Sequence, residues 1–131
     1  MAPESPARMN TILYCRHWKA AVGFYRDLLG LPVHLETGWF MEFGVAGAAS
    51  LSIADEGRAS VKSAGGRGIT LSFQVADVEA WRSRLETRGV GVGPIRRHWG
   101  ALACFFQDPE GHRIEIWQPE PPTSEAVEPV P

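Results

Sequence analysis

The chain has 131 residues, of which 44% are apolar, and its formal net charge at pH 7 is -2. This is enough apolar material for one domain with its own core, and the charge excludes a general attraction to nucleic acid or to anionic membranes. No apolar stretch approaches the roughly 20 residues of a membrane-spanning helix. Cys15 and Cys104 lie within apolar runs, which predicts buried free thiols and a cytoplasmic location.

The two ends of the chain differ from its middle. Residues 1–8 and 119–131 are rich in proline, serine and glutamate, so they bury little apolar surface and are predicted to be disordered tails. Between them we predict a single domain over residues 9–118. Within it, the Gly- and Ser-rich stretch 55–67 predicts a linker.

The first half, residues 9–54, begins with the β-rich run NTILYC and continues with HWKAAVGFYRDLLG. Apolar residues recur in the second run at helical spacing, and Gly30 suits the position just after a helix. Three further runs are typical of strands: LPVHLE, WFMEFGV and ASLSIA. The predicted order is strand, helix, strand, strand, strand.

The second half, residues 68–118, repeats that order. The run ITLSFQV predicts a strand, and Asp77 is a suitable N-cap for the helix VEAWRSRLETR, which ends before Gly89. Strands are predicted in GVGPIRR, ALACFFQ and HRIEIWQ, the last two joined through DPEG, whose Pro109 and Gly111 suit a tight turn. The sequence therefore predicts an internal duplication.

The segments FYRDLLGLPV and FFQDPEGHRIEIW resemble those of the glyoxalase, bleomycin-resistance and extradiol dioxygenase group, the vicinal oxygen chelate superfamily. The resemblance covers residues 9–118. It implies an α+β fold of two tandem βαβββ modules whose mixed sheets curl into a cup, and a homodimer. Function varies within this group, so the fold alone does not identify an activity.

The resemblance also implies where a metal ion would bind, on the first and last strands of each module. The matching positions of this chain are Asn10, Ser52, Thr70 and Glu115. Only Glu115 is the expected ligand type, because amide and hydroxyl oxygens are weak donors for zinc, nickel or iron. The histidines fall at other positions and are predicted to be surface or capping residues: His17, His34, His98 and His112. We therefore expect no transition metal and predict no cofactor, with a divalent ion that accepts oxygen donors, such as Mg²⁺ or Mn²⁺, as the open alternative.

Glu115 has two interpretations of equal weight. In the first, its carboxylate is a remnant of the fold's ancestry and is hydrogen-bonded by Asn10, Thr70 or a buried water. In the second, it is the polar anchor of a small-molecule cleft and accepts a hydrogen bond from a ligand's amine or hydroxyl. A general-base role would need desolvation, which sequence does not reveal.

The five tryptophans separate into two groups. Trp18 and Trp81 fall on helix faces and are predicted to pack in the core. The others lie on or beside strands of the implied cup: Trp39, Trp99 and Trp117. In antibiotic-binding members of the resembled group, a Trp-Gly pair before the DPxG turn lies where planar drug rings stack, and Trp99-Gly100 matches it. The competing interpretation is that Trp99 covers a sheet edge or a dimer seam.

The leading hypothesis is a metal-free, homodimeric protein that binds a small aromatic or amphipathic molecule, as drug-sequestering resistance proteins do. Its predicted ligand site comprises Trp99, Glu115, Trp117, Trp39, Asn10, Thr70 and Ser52. The alternative is a divalent-metal enzyme of glyoxalase, lyase, isomerase, thiol transferase or dioxygenase type, with Glu115 as metal ligand or base. A third possibility is a structural or regulatory protein that binds partners through its sheet edges. No nucleic acid or membrane partner is expected.

Overall fold

The computed structural model describes residues 4–120. They fall into two compact units, the first containing the chain up to Ile69 with Gln107–His112, and the second containing Thr70–Phe106 and the chain from Arg113 onward. Residues 1–3 and 121–131 of the predicted tails lie outside the described residues.

The first unit holds a four-stranded mixed sheet and one helix. Its elements are β1 (Met9–Cys15), α1 (Trp18–Gly23), a π-helical continuation (Phe24–Leu28), β2 (Val33–Glu36), β3 (Phe40–Ala46) and β4 (Ala49–Asp55). The strand order is β1-β4-β3-β2, with β1 and β4 parallel and the other pairs antiparallel.

Period-two alternation builds the core of this unit. Met41 and Phe43 of β3 are buried, as are Leu51 and Ile53 of β4, because alternate residues of a strand point to the same face. The ring of the fully buried Tyr25 lies 6.3 Å from that of Phe43, centroid to centroid. The helix therefore packs against this apolar face, and the opposite face carries polar side chains that are themselves buried, among them Glu42 and Ser52.

Helix α1 widens before it ends. The amide of Leu29 donates to the carbonyl of Phe24, five residues earlier, and Leu31 donates to Tyr25. Gly30 has φ 73, a left-handed conformation that glycine adopts without a Cβ clash. The predicted helix end at Gly30 is confirmed.

The second unit repeats the arrangement. Its elements are β5 (Thr70–Gln74), α2 (Val78–Thr87), β6 (Arg96–His98), β7 (Ala101–Gln107) and β8 (Arg113–Pro119), with strand order β5-β8-β7-β6. Strands β5 and β8 are parallel, and β6 and β7 are antiparallel. The predicted fold class, two tandem βαβββ modules with mixed sheets, is confirmed.

Helix α2 begins where the sequence predicts. The Asp77 carboxylate accepts a hydrogen bond from the amide of Ala80 at 3.0 Å, which satisfies one of the free amides of the first turn. Val78 and Leu85 of the helix are buried together with Ile114 and Ile116 of β8. Trp81, predicted to pack in the core, is only half-buried, and the guanidinium of Arg84 covers its ring.

Two segments differ from expectation. The run GVGPIRR forms a strand only from its last two residues onward, at Arg96–His98, because Pro94 lacks an amide and the glycines weaken strand pairing. The predicted linker 55–67 contains a 3₁₀ turn at Glu56–Arg58, and a Cβ added at Gly66 would lie 2.2 Å from the carbonyl carbon of Gly111. The linker backbone therefore packs directly on the DPEG turn.

Cys15 and Cys104 are free and buried, as predicted. No helix among residues 4–120 has the length and apolarity needed to cross a membrane. The predicted domain boundaries stay predictions. At the inner ends of the predicted tails, Arg8 pairs with Glu42 and Glu120 pairs with Arg97.

Candidate functional site

A strained turn connects β6 and β7. His98 pairs with Ala101, so Trp99 and Gly100 form a two-residue hairpin loop, and their φ angles are 53° and 76°. Positive φ at both positions is the type I′ pattern, which favours Asn-Gly because a bulky side chain in this region is costly. Trp99 is the one non-glycine residue with positive φ in the described part of the chain. It is also 91% exposed.

Trp99 borders an open cavity of about 350 Å³ within the second unit. The cavity is lined by Ser72, His98, Trp99, Ala101, Glu115 and Trp117. Alternation along β8 explains two of these residues: Ile114 and Ile116 are fully buried, so Glu115 and Trp117 point to the opposite face. The His98 ring meets that of Trp99 edge-on, with centroids 5.7 Å apart.

The Glu115 carboxylate is held by Ser72. The Ser72 hydroxyl donates to Glu115 Oε1 at 2.6 Å, because the parallel register of β5 and β8 places Ser72 opposite Glu115. Of the partners considered from the sequence, Asn10, Thr70 or a buried water, Thr70 does not bind this carboxylate, and Ser72 binds it instead. Thr70 lies opposite Arg113 in the same register and accepts a hydrogen bond from its Nε at 2.9 Å. Sequence alone does not fix that register, so Ser72 was missed.

The remaining predicted site residues belong to the first unit. The Ser52 hydroxyl donates to Asn10 Oδ1 at 2.7 Å, so these two polar side chains meet across the adjacent parallel strands β4 and β1. Trp39 precedes β3, is half-buried, and packs edge-on against Phe40 at 5.6 Å between ring centroids. That these residues line one hollow with Glu115 stays a prediction.

Sequence reasoning also missed a buried carboxylate on the polar face of the first sheet. Glu42 is 8% exposed and accepts a hydrogen bond from Arg8 at 2.7 Å. Arg8 also donates to the Ser50 hydroxyl at 2.8 Å. Hydrogen bonds from Arg8 and Ser50 lower the pKa of Glu42, against the effect of burial. The sequence gives one indication of this position. Glu42 lies between Met41 and Phe43, and alternation along β3 places those two residues on the apolar face and Glu42 on the opposite one.

A second missed cluster lies at the DPEG turn. The buried Asp108 accepts hydrogen bonds at Oδ2 from the Tyr25 hydroxyl, at 2.6 Å, and from His112 Nδ1, at 2.7 Å. Its Oδ1 accepts from the amides of Glu110 and His112. The prediction that His112 is a surface or capping residue is wrong, because the turn folds the imidazole back onto Asp108 and leaves His112 5% exposed.

Burial and hydrogen bonding shift the pKa values of two groups in this cluster. Burial raises the pKa of Asp108, but the hydrogen bonds from His112 and Tyr25 outweigh it and hold that pKa below its usual value. Burial, then the neighbouring charge of Asp108, raises the pKa of the Tyr25 phenol far above its ordinary range. Asp108 is therefore an ionised acceptor and Tyr25 a neutral donor.

Glu110 ties the same turn to the start of α1. Its carboxylate accepts hydrogen bonds from the amides of Arg16, at 2.8 Å, and His17, at 2.9 Å, and from the Ser63 hydroxyl. Burial opposes ionisation of Glu110, but these hydrogen bonds lower its pKa. Asp108 and Glu110 are thus both committed to holding the first unit together.

The metal-binding positions implied by the resemblance do not fit a transition ion. Their donors are one amide, two hydroxyls and the Glu115 carboxylate, and each of these side chains already takes part in a hydrogen bond within the protein. Zinc, nickel and iron favour imidazole, thiolate and carboxylate ligands. Across residues 4–120, no group of three or more His, Cys, Asp or Glu side chains could hold a metal ion.

Comparisons with known proteins agree with this architecture. Residues 8–116 match the family model of the Glyoxalase/Bleomycin resistance protein/Dioxygenase superfamily. An uncharacterized protein of Bacillus subtilis (strain 168), YraH, is 27% identical in an alignment 123 positions long, and the match covers 81% of this chain and 93% of YraH.

Solved structures with similar folds include two with descriptive names. A lactoylglutathione lyase from Agrobacterium tumefaciens is 28% identical with a TM-score of 0.71, over 89% of this chain and 95% of the lyase. TnmS3, an antibiotic binding protein from Streptomyces sp. CB03234, is 22% identical with a TM-score of 0.75, over 91% of this chain and 98% of TnmS3. At that identity, the likeness to TnmS3 concerns the fold alone.

Proposed function

Because the chain belongs to the Glyoxalase/Bleomycin resistance protein/Dioxygenase superfamily, we propose that it binds a small molecule in the cavity beside Trp99 and Glu115. The ligand is a planar aromatic molecule that carries an amine or hydroxyl group. The conformation of Trp99, 91% exposed at φ 53, is the observation that carries this proposal.

The fold gains little from an indole at this position. A bulky residue in the left-handed region costs about 1–2 kcal/mol, and an exposed side chain buries almost no apolar surface in return. A planar ligand would change that balance, since base- or drug-like rings stack on indoles with contributions of about 1–3 kcal/mol. Trp117, half-buried on β8 and lining the same cavity, supplies a second aromatic surface.

Glu115 supports the polar part of the proposal. Ser72 fixes one carboxylate oxygen, and Oε2 receives no hydrogen bond from the described residues. A carboxylate oriented in this way accepts strongly from an amine or hydroxyl. The cavity volume of about 350 Å³ lies within the range typical of small-molecule sites, about 300–1,000 Å³.

We place the chain among binding and sequestering proteins of the superfamily. The support is the poor metal donor set at Asn10, Ser52, Thr70 and Glu115, which disfavours the metal-dependent lyase or dioxygenase alternative. The fold shared with TnmS3, whose name describes an antibiotic binding protein, agrees with drug sequestration. The free, buried cysteines agree with a reducing cytoplasm.

The proposal includes a homodimer. One row across the first sheet runs from Ile12 through Ser52 and Glu42 to Leu35, and its two ends are apolar side chains that are 38% and 49% exposed. A homodimer interface over this face would cover both exposed apolar side chains together with the polar side chains between them. Light scattering should give twice the chain mass, and Leu35→Asp should shift it toward the monomer.

Isothermal titration calorimetry with aminoacridine, a planar amine, tests the binding proposal, with acridine as the ring that lacks the amine. Trp99→Ala should weaken aminoacridine binding about tenfold. Glu115→Gln should weaken aminoacridine but not acridine. The control Trp81→Phe removes an indole outside the cavity and should change neither affinity. Equal binding by wild type and both cavity variants would contradict the proposal.

A further inference from the structure

A second cavity, of about 430 Å³, lies beside the start of α1 and is lined by residues of the first unit. Three basic residues close together in sequence, Arg16, His17 and Lys19, contribute to its lining. Trp18 supplies an indole, and Asp55 is the one acidic residue in the lining. The cavity therefore combines positive charge with an aromatic surface.

The basic groups make few direct contacts within the fold. Among residues 4–120, the His17 and Lys19 side chains form no hydrogen bond, although the charge of His17 helps to lower the pKa of Glu110. Arg16 Nε lies 4.0 Å from Glu56 Oε2, and its side chain is 67% exposed. That separation is beyond a hydrogen bond, and an exposed pair of this kind contributes little to stability. All three side chains are thus available to a ligand.

The main-chain amides and one oxygen of Asp55 are already hydrogen-bonded within the fold. The amides of Arg16 and His17 already donate to Glu110, so the side chains, not the main chain, would meet a ligand. Asp55 Oδ1 accepts a hydrogen bond from the amide of Gly57 at 2.9 Å, which caps the 3₁₀ turn and fixes the carboxylate there.

Trp18 gives the cavity an aromatic surface that is held in place, and Gly38 leaves space beside it. The Trp18 indole N–H donates to the carbonyl of Ile53 at 2.8 Å, which holds the ring in place and leaves it half-buried. Gly38 lies outside the left-handed region, and a Cβ added there would meet no atom within 4 Å. A side chain at position 38 could therefore enter the cavity without strain.

We infer that this cavity binds an apolar ring that carries an anionic group, a carboxylate or a phosphate monoester. The ring lies on Trp18, and the anion is held by the Lys19 and Arg16 side chains, with a ring N–H of His17 as a further donor. This site is additional to the proposed one at Trp99 and does not depend on it.

Naphthoate and naphthyl phosphate are suitable probes, with the uncharged naphthamide as the matched control. Proton–nitrogen correlation spectra of the isotope-labelled full chain report each indole N–H separately, once single Trp→Phe variants assign them. Naphthoate or naphthyl phosphate should move the Trp18 signal saturably, and naphthamide should bind about tenfold more weakly, as expected for losing one close charge interaction near a surface.

The variants Gly38→Glu and Gly38→Gln sharpen the test, because they add side chains of equal size that differ in charge. Gly38→Glu should bind naphthoate about tenfold more weakly than Gly38→Gln, whereas the two should bind naphthamide equally. Equal naphthoate affinity in both variants would overturn the inference. So would a Trp18 signal that stays unmoved by both anionic probes. If only the Trp99 signal moves, this inference fails and the function proposed for the other cavity stands.

Discussion

Replacing Trp99 with asparagine should stabilise the protein while removing its ligand-binding surface. Trp99 and Gly100 occupy the two central positions of a type I′ turn, at φ 53 and φ 76. Asparagine is favoured at the first of these positions, so the substitution should relieve about 1.5 kcal/mol of backbone strain. The unfolded chain gains no comparable benefit, because it is free to leave that conformation.

The opposing effect is small. Trp99 is 91% exposed, so of the roughly 250 Å² of a tryptophan side chain only about 20 Å² is buried, worth about 0.5 kcal/mol. The net expectation for Trp99→Asn is an increase of about 1 kcal/mol in the free energy of unfolding.

Urea unfolding followed by far-ultraviolet circular dichroism measures this change without relying on tryptophan emission. Trp99→Phe is the matched control, since it keeps a bulky side chain at the same φ and should leave stability within about 0.5 kcal/mol of wild type. Aminoacridine affinity should fall in Trp99→Asn and be partly kept in Trp99→Phe. A destabilised Trp99→Asn protein, or one that gains no more than Trp99→Phe, would refute the strain argument.

Three further predictions concern the fold that carries the site. Tyr25→Phe removes a hydrogen-bond donor from a buried, ionised carboxylate and should lower the free energy of unfolding by about 2 kcal/mol. The control is Tyr14→Phe, because the Tyr14 phenol has no hydrogen bond within residues 4–120. It should cost less than about 0.5 kcal/mol in the same denaturation assay. The pKa of Asp108 is held low by hydrogen bonds against the opposing effect of burial, so its contribution is present above the unfolded-state pKa of about 4 and is lost as pH falls through the lower folded-state pKa. Repeated denaturation across that range should therefore show the Tyr25→Phe deficit shrinking in acid, and a deficit that grows would contradict the assignment. Asp77→Ala removes the cap of α2 at Ala80 and should cost about 1 kcal/mol in thermal or urea unfolding, and no change would mean that the observed hydrogen bond contributes nothing in solution.

The order of helices and strands was predictable from short sequence patterns. Asp77 caps α2 because its short carboxylate reaches a free amide three residues on. Gly30 ends the first helix because its backbone has φ 73, where glycine is favoured. The repeated order of strands and helix then identified two modules. The helix cap and the helix end each depend on residues that are close together in the chain.

The site was predictable only in part, because its contacts join residues far apart in sequence. Trp99 was singled out by the family resemblance, Glu115 by the resemblance together with strand alternation, and Trp117 by its place on the same strand, and all three line one cavity. Glu115 pairs with Ser72 and not with Thr70 because of the register between two parallel strands. No local sequence pattern specifies that register. His112 was misassigned for a similar reason: its burial depends on Tyr25 and Asp108 meeting across 83 residues of sequence.

A crystal structure of the full chain with aminoacridine tests the central claim most directly. We predict that the acridine ring lies against Trp99 and Trp117, with its amine within hydrogen-bonding distance of Glu115 and the Ser72 contact retained. A ring bound elsewhere, or an amine directed away from Glu115, would contradict the proposed function.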